Sequence, residues 1–546
     1  MVTRKAGETM QWIQDLYETY NNCQAAVGIE PVEDEVPLHP ICHTTQKAHI
    51  EIVLDENGNF KRAAVIQRND ARTIIPCTEE SGGRTNNPPP HPLCDKLQFV
   101  AKDYPAWGGS KPSRFNHYVE KLEAWFSKFP DPKLKAVLTY VKKGNVIGDL
   151  VKNRILITDK DGKLLSKWEK KEGETPSNIF KVLNSQEDAF IRWQVEIPGI
   201  QESRVWKDKS LREKWIQYYL STKTKESICF VTGNRGLIAD LHPAKIRNDG
   251  DKAKLISSND NSGFTFRGRF LDADEAATVG LEASHKAHSA LRWLISRQGY
   301  INGDQVIVAW ATSGADIPKI TDDPISILGL DKISSDETPP VFTAEEIAIQ
   351  LKKRIAGYGN EIGNTTSVIV MGLDSATKGR LSITYYRRLT GSDFLQRIND
   401  WHDTCSWTHH YRTIEVQNNR SGKVKKQIIP FIGAPAPRDI AEAAYGKRMD
   451  DKLRKATVER LLPCIIDGQT IPPDLVGSAI RRASNKVAME NWEWEKTLTI
   501  ACALYRKYNR KEKYDMTLEL DRKTRDYLYG RLLALAESLE EWALNE

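Results

Sequence analysis

At 546 residues the chain exceeds what a single hydrophobic core usually spans, so two to four domains are the starting expectation. Apolar residues make up 40% and charged residues 28%, which excludes disordered and membrane compositions and predicts a folded, water-soluble protein. A net charge of +6 permits nucleic-acid binding but falls short of a stand-alone DNA-coating protein, so any basic surface must be local.

Met10, Ile13, Leu16, Tyr17 and Tyr20 fall at helical spacing and predict a first helix, with no apolar run of signal-peptide type. No uninterrupted apolar stretch approaches the roughly 20 residues needed to cross a bilayer. Residues 31–40 are acidic and Pro-bearing, a connection. Ile50, Ile52 and Leu54 then alternate and Asn57-Gly58 offers positive φ, so residues 49–66 read as strand, turn, strand. Next comes an irregular segment in which Gly82-Gly83 can take backbone angles closed to other residues, while Pro88, Pro89 and Pro90 stiffen the chain beyond them. Trp125, Phe126, Leu134 and Val137 suggest helices between Lys111 and Tyr140, and residues 159–173 form a polar, Lys-rich turn region.

In the middle of the chain, Ile228–Val231, Gln305–Trp310, Ser367–Met371 and Leu381–Tyr386 read as strands. Glu275–Ser296 reads as a helix with Val279, Ala283, Ala287, Ala290, Leu291 and Leu294 inward. Thr343 and Glu346 form a capping box that announces another helix, whose buried stripe is Ile347, Leu351 and Ile355. From about Asp439 the strand signals fade and successive helices occur around Val458–Leu462, Leu475–Glu490, Trp492–Tyr508 and Arg522–Trp542. No internal repeat supports a solenoid or propeller. The expected class is α+β: mixed N-terminal (1–165) and central (166–437) domains with β-sheets and helices, then an all-α helical-bundle C-terminal domain (438–546).

Gly-Gly-Arg-Thr-Asn-Asn at 82–87 is the most suggestive loop, because its backbone can approach phosphate while Arg84 and Asn86 or Asn87 can read base edges. A plain surface turn is the alternative. His39, Cys42, His43, Cys77, His91 and Cys94 are zinc-type donors, but no Cys-x-x-Cys or His-x-x-x-His pattern accompanies them. His91, Cys94 and Asp95 offer a nucleophile, a base and an acid only as sequence neighbours, whereas triads are spatial assemblies. His402, His409 and His410 near Asp403 and Cys405 suit interface or surface roles better than a metal site. Gly233 to Gly236 lacks the lysine and hydroxyl of a nucleotide-binding loop, which disfavours ATPase activity. Between Lys496 and Arg531 ten basic residues face five acidic ones, with Tyr505, Tyr508, Tyr514, Tyr527 and Tyr529 interleaved. That pattern suits phosphates and unpaired bases, or equally a solvated helical face. Cys23, Cys42, Cys77, Cys94, Cys229, Cys405, Cys464 and Cys502 are scattered without a secretion signal and suit a reducing cytoplasm, not a disulfide framework.

Four blocks are more specific: HTTQKAHIEIVLDENGNFKRAAVI (43–66), IIPCTEESGGRTNNPPPHPLCDKLQFV (74–100), CFVTGNRGLIADLHPAKIRNDGDKAKLISSN (229–259) and GRFLDADEAATVGLEASHKAHSALRWLI (268–295). In order and spacing they resemble the large subunit of type I-C CRISPR surveillance (Cascade) complexes, over most of the chain from residue 10 onward. The resemblance implies a non-catalytic, cofactor-free and metal-free subunit of a crRNA-bound assembly. Such a subunit recognises the short motif flanking a target (PAM) in double-stranded DNA, helps open the duplex and stabilises the R-loop. Its implied partners are crRNA, target DNA, the backbone and crRNA-end-binding subunits, a small subunit and a helicase-nuclease recruited after target binding, with no membrane. It further implies that Ser81, Gly82, Gly83, Arg84, Thr85 and Asn86 contact the flanking motif, supported by Arg68, Asn69 and Arg72. Family members often continue past the point where this chain stops, with helices that resemble or separately encode the small subunit. A metal-dependent hydrolase or nuclease built on the Cys and His positions, and a purely architectural subunit, are the competing readings.

Overall fold

The computed structural model describes residues 11–31, 35–84, 88–168, 176–256, 278–332, 343–377, 379–417 and 424–545. They divide between two compact units, Met1–Ile317 with Glu361–Gly391, and Pro318–Asn360 with Ser392–Glu546.

In the first unit, helix α1 (Gln11–Asn22) buries Ile13, Leu16 and Tyr20, the stripe its spacing predicts. Strands β1 (His43–Lys47), β2 (Ile50–Asp55), β3 (Phe60–Val65) and β4 (Arg72–Pro76) come next. β2 and β3 form the predicted antiparallel hairpin. Gly58 turns it at φ +69°, and a Cβ there would lie 2.5 Å from the Ala136 carbonyl oxygen, so only glycine fits. β1 pairs with β4. The single turn α2 (Glu79–Gly82) leads into the Gly-rich segment.

Helices α3 (Phe115–Lys128) and α4 (Pro132–Lys143) occupy the predicted helical stretch. Asp131 caps α4 by accepting from the amides of Lys133 and Leu134, with Pro132 at the first helical position where no amide is needed. β5 (Ile191–Glu196) returns parallel to β2 and completes the sheet order β3-β2-β5. Against this sheet α5 (Lys209–Leu220) and α3 bring Trp215 and Trp125 to 5.1 Å in an edge-on pair within one buried cluster.

The strand expected at Ile228–Val231 is instead β6 (Glu226–Ile228), paired with β7 (Arg235–Leu237). It stops at Ile228 because Cys229 turns the chain, its amide and carbonyl bonded to Asn234 and Gly233. Helix α6 (Leu281–Gln298) begins later than predicted, residues 275–277 lying outside the described residues. Its expected inward positions Ala283, Ala287, Ala290, Leu291 and Leu294 are all buried. β8 (Tyr300–Asn302), β9 (Gln305–Ala311), β10 (Ser367–Thr377) and β11 (Arg380–Thr390) form an antiparallel sheet in the order β11-β10-β9-β8. α1, α6 and this sheet share a second core, in which the Trp310 indole donates to Thr19 at 3.0 Å.

In the second unit, α7 (Ala344–Ile362) is capped as predicted: the Thr343 amide donates to Glu346 and the Glu346 amide to the Thr343 hydroxyl, at 2.7 and 3.2 Å. Ile347, Leu351 and Ile355 are buried. After α8 (Gly391–Thr404) comes a hairpin that the sequence pattern does not announce, β12 (Trp407–Gln417) with β13 (Val424–Gly433). Ile414, Ile429 and Phe431 bury its inner face with Ile325 and Ile347. The helical region then runs through α9 (Pro437–Tyr445), α10 (Asp451–Ile466), α11 (Pro473–Ala483), α12 (Asn491–Tyr508) and α13 (Arg525–Asn545). The class is α+β with a helical C-terminal region, as expected from the sequence. Among the described residues no helix is long and apolar enough to cross a membrane.

Candidate nucleic-acid interface

β4 delivers the chain into α2 through a capping box. The Thr78 hydroxyl accepts from the Ser81 amide at 3.1 Å and the Ser81 hydroxyl from the Thr78 amide at 2.9 Å. Ser81 is 1% exposed and also meets His91 Nδ1 at 3.1 Å, so its hydroxyl anchors the loop from beneath. Gly82 and Gly83 come next. Gly83 sits at φ −112°, and neither glycine has positive φ, so the special angles anticipated from the sequence are not used. What the two glycines provide is bareness: a Cβ at either would meet nothing within 4 Å.

Arg84 closes the described part of the loop. Its two terminal nitrogens donate to both oxygens of Asp95 at 2.9 and 2.5 Å, and its guanidinium lies over the Phe99 ring at 4.8 Å. Asp95 is fully buried and also accepts from the amides of His91 and Lys96, each at 2.7 Å. Burial pushes its carboxyl up from the usual range, and Arg84 is the main opposing influence. The guanidinium is thus committed to pinning the loop. Thr85 and Asn86 lie outside the described residues.

Of the supporting candidates, Arg68 is exposed and donates to the Lys181 carbonyl at 3.1 Å. Asn69 is exposed and Arg72 half-buried, and both line a cleft of about 750 Å³ with Arg192 and Trp206. Asp249 links this side to the loop: it lies 3.8 Å from Arg72 and 2.5 Å from Arg292, and Arg292 lines a small cavity together with Gly82 and Gly83.

That cavity, about 60 Å³, has walls of buried histidines that sequence reasoning largely missed: His39, His43, His242, His285 and His288. His285 Nδ1 accepts from the Cys42 amide at 3.0 Å, and His288 Nδ1 donates to the Ser284 carbonyl at 2.7 Å. The Nε2 atoms of His39, His43, His285 and His288 are buried without a partner. Desolvation holds the rings neutral, pushing His43 and His242 down to about 3 and His285 and His288 to about 4. The His285–His288 spacing on one helical face was the signal available in the sequence.

The other His and Cys positions are absorbed by packing. Cys42, Cys77 and Cys94 are buried free thiols, and burial raises each of them. His402 Nδ1 accepts from the Ala434 amide, while His409 packs on Phe431 and meets Thr499. Among the described residues no three His, Cys, Asp or Glu side chains converge in a way that could hold a metal ion. Near the C-terminus Tyr505, Tyr508 and Tyr529 are exposed, whereas Tyr514 pairs with Tyr505 and lies under Arg522. Arg510, Lys511, Lys513 and Lys523 are exposed there too.

Residues 16–546 match a family of CRISPR-associated proteins. The chain belongs to that family, CRISPR-associated protein (Cas_Csd1), and with it to the large subunits of type I-C Cascade complexes. A comparison with curated proteins returned no match.

Proposed function

We propose that the chain is a non-catalytic subunit that recognises the motif flanking a target in double-stranded DNA, assists duplex opening, stabilises the R-loop and supports recruitment of a separate helicase-nuclease. In this reading the guide RNA supplies most of the sequence specificity by pairing, and the protein reads only a few base pairs. The observation that carries it is the Gly82-Gly83 stretch. It is held below by Ser81 with His91, held at its end by Arg84 with Asp95, and left without side chains above. A rigid loop with accessible backbone suits close approach to a DNA groove. Arg84 supports this reading as the strut that fixes the loop; direct base contact falls to the glycine backbone and to residues beyond it.

The reading is tested by Gly82→Val and Gly83→Val in the assembled complex. Each side chain projects into open space, so folding should be retained, while the approach of a duplex is obstructed. Discrimination between duplexes with correct and scrambled flanks is expected to fall about tenfold or more, the loss of roughly one base-pair's worth of readout. Undiminished discrimination in both variants removes the loop from flank recognition.

The architectural part of the role has its own support. Leu528, Leu532, Leu535, Leu539 and Trp542 of α13 keep a four–three spacing and are all exposed, the pattern of a helix presented to another helix. This favours a protein neighbour for α13 within the multi-subunit complex.

A further inference from the structure

Arg84 is the cation the sequence places at the loop, yet Asp95 neutralises it. Two other lysines nearby have no such partner. Lys245 comes directly after His242-Pro243-Ala244, three residues that line the same cavity as Gly82 and Gly83. It sits at φ +62°, an uncommon conformation for a residue with a side chain, fixed by its amide donating to the Asp251 carbonyl at 2.8 Å. Asp251 is itself clamped by Arg247 at 2.8 Å. The backbone therefore places Lys245 next in the chain to the cavity lining, at some conformational cost.

The charges around its ammonium do not satisfy it. Arg292 and Arg84 are like charges, and Asp249, the neighbouring carboxylate, is engaged by Arg292. Among the described residues Lys245 makes no ion pair or side-chain hydrogen bond. Burial, then Arg292, push its ammonium down to about 8. Lys121 on α3 is also half-buried without an ion pair, and burial lowers it despite the attraction of Glu80. Fully buried His91, whose Nε2 has no partner, lies in the field of Arg84, Lys245 and Lys121 together. Lys245, half-buried beside arginines whose own carboxylates are already engaged and without an ion pair of its own, is a charge that an incoming anion can satisfy.

We propose that Lys245, with Lys121 in support, holds a backbone phosphate of the DNA duplex beside the bare Gly82-Gly83 stretch. The pair positions the duplex and does not read its sequence. This rests on the loop being the flank-facing surface, and it adds the charge that Arg84 cannot supply.

The test titrates assembled complexes carrying Lys245→Met, Lys245→Arg or Lys121→Met with two duplexes, correct and scrambled in the flank, over a salt series. Lys245→Met keeps the aliphatic stem and removes the charge. It is expected to weaken both duplexes by the same factor, about eightfold at 0.1 M salt. It should also lower the slope of log K against log salt by about one. Lys245→Arg should restore the slope, and Lys121→Met should lower it in the same direction. An unchanged slope in Lys245→Met overturns the proposal. So does loss of flank discrimination with the slope intact, which would make Lys245 a base reader, and so does loss of a protein subunit, which would identify the anion as a carboxylate. If Lys245→Met does not assemble, Lys245→Gln and Lys121→Met are judged by the same slope. Failure of the loop reading would appear separately, as undiminished discrimination in Gly82→Val.

Discussion

Arg84→Ala separates a structural strut from a base-reading side chain. The substitution removes two charge-assisted hydrogen bonds and the guanidinium over Phe99, and leaves Asp95 wholly buried with only the His91 and Lys96 amides. Breaking a buried pair by removing one partner costs about 3–5 kcal/mol, because the remaining charge is uncompensated. Urea unfolding of the purified chain, followed by tryptophan fluorescence at pH 7.5, measures this directly. The loss should have a characteristic pH dependence. Burial already raises the folded-state carboxyl of Asp95 above 3.8, and removing Arg84 raises it further. A carboxyl raised in the folded state destabilises the fold in full above its folded pKa, and the penalty falls away as pH drops to the unfolded value of 3.8. The difference between Arg84→Ala and wild type should therefore shrink on acidification. Combining Arg84→Met with Asp95→Asn should recover most of the loss, with a coupling of about 2 kcal/mol or more. A loss below about 1 kcal/mol with no pH dependence would refute the strut and make Arg84 a free side chain again.

Acid stability should report the histidine-walled cavity. His39, His43, His91, His242, His285 and His288 are buried in the first unit, and each is lowered from 6.5 by desolvation. Below pH 6.5 the unfolded chain binds protons that the folded chain refuses, so stability present above 6.5 is lost on acidification, about 1.4 kcal/mol per histidine at pH 5.5. A denaturation midpoint unchanged between pH 7.5 and 5.5 would contradict this. On α13, Leu532→Glu with Leu539→Glu should leave the stability of the isolated chain within about 0.5 kcal/mol, since both leucines are exposed, while reducing co-purification with the complex. Retained co-purification would place the helix away from any neighbour. In the second unit, Thr343→Ala should cost about 1 kcal/mol by removing the cap of α7, measured by thermal unfolding.

Much of the fold was legible because local signals agreed with the packing. Alanines and leucines at helical spacing gave α6 its buried face, Asn57-Gly58 gave the hairpin, and Thr343 with Glu346 gave the start of α7. The β12–β13 hairpin escaped because Trp407, His409 and Arg412 on one strand and Lys425 and Lys426 on the other do not show a clean alternation. Its burial depends on Ile325 and Ile347, which are distant in sequence. The 81–84 loop was visible as a Gly-rich break, but its mechanics were not. Gly82 and Gly83 were expected to use angles closed to other residues, and neither does. Arg84 looked available because its partner is declared only by Asp95 becoming fully buried, which depends on the surrounding core. The histidine cavity joins residues from 39 to 288, and Lys245 gains its setting from Arg292, so neither could be read locally.

The most direct test of flank recognition is a structure of the assembled complex on duplex DNA carrying the flanking motif. The Gly82-Gly83 backbone is expected in contact with the flanking base pairs, and the Lys245 ammonium within about 3 Å of a phosphate oxygen, a charge-assisted hydrogen bond. Flanking base pairs held by another surface, with the loop facing solvent or protein, would contradict this.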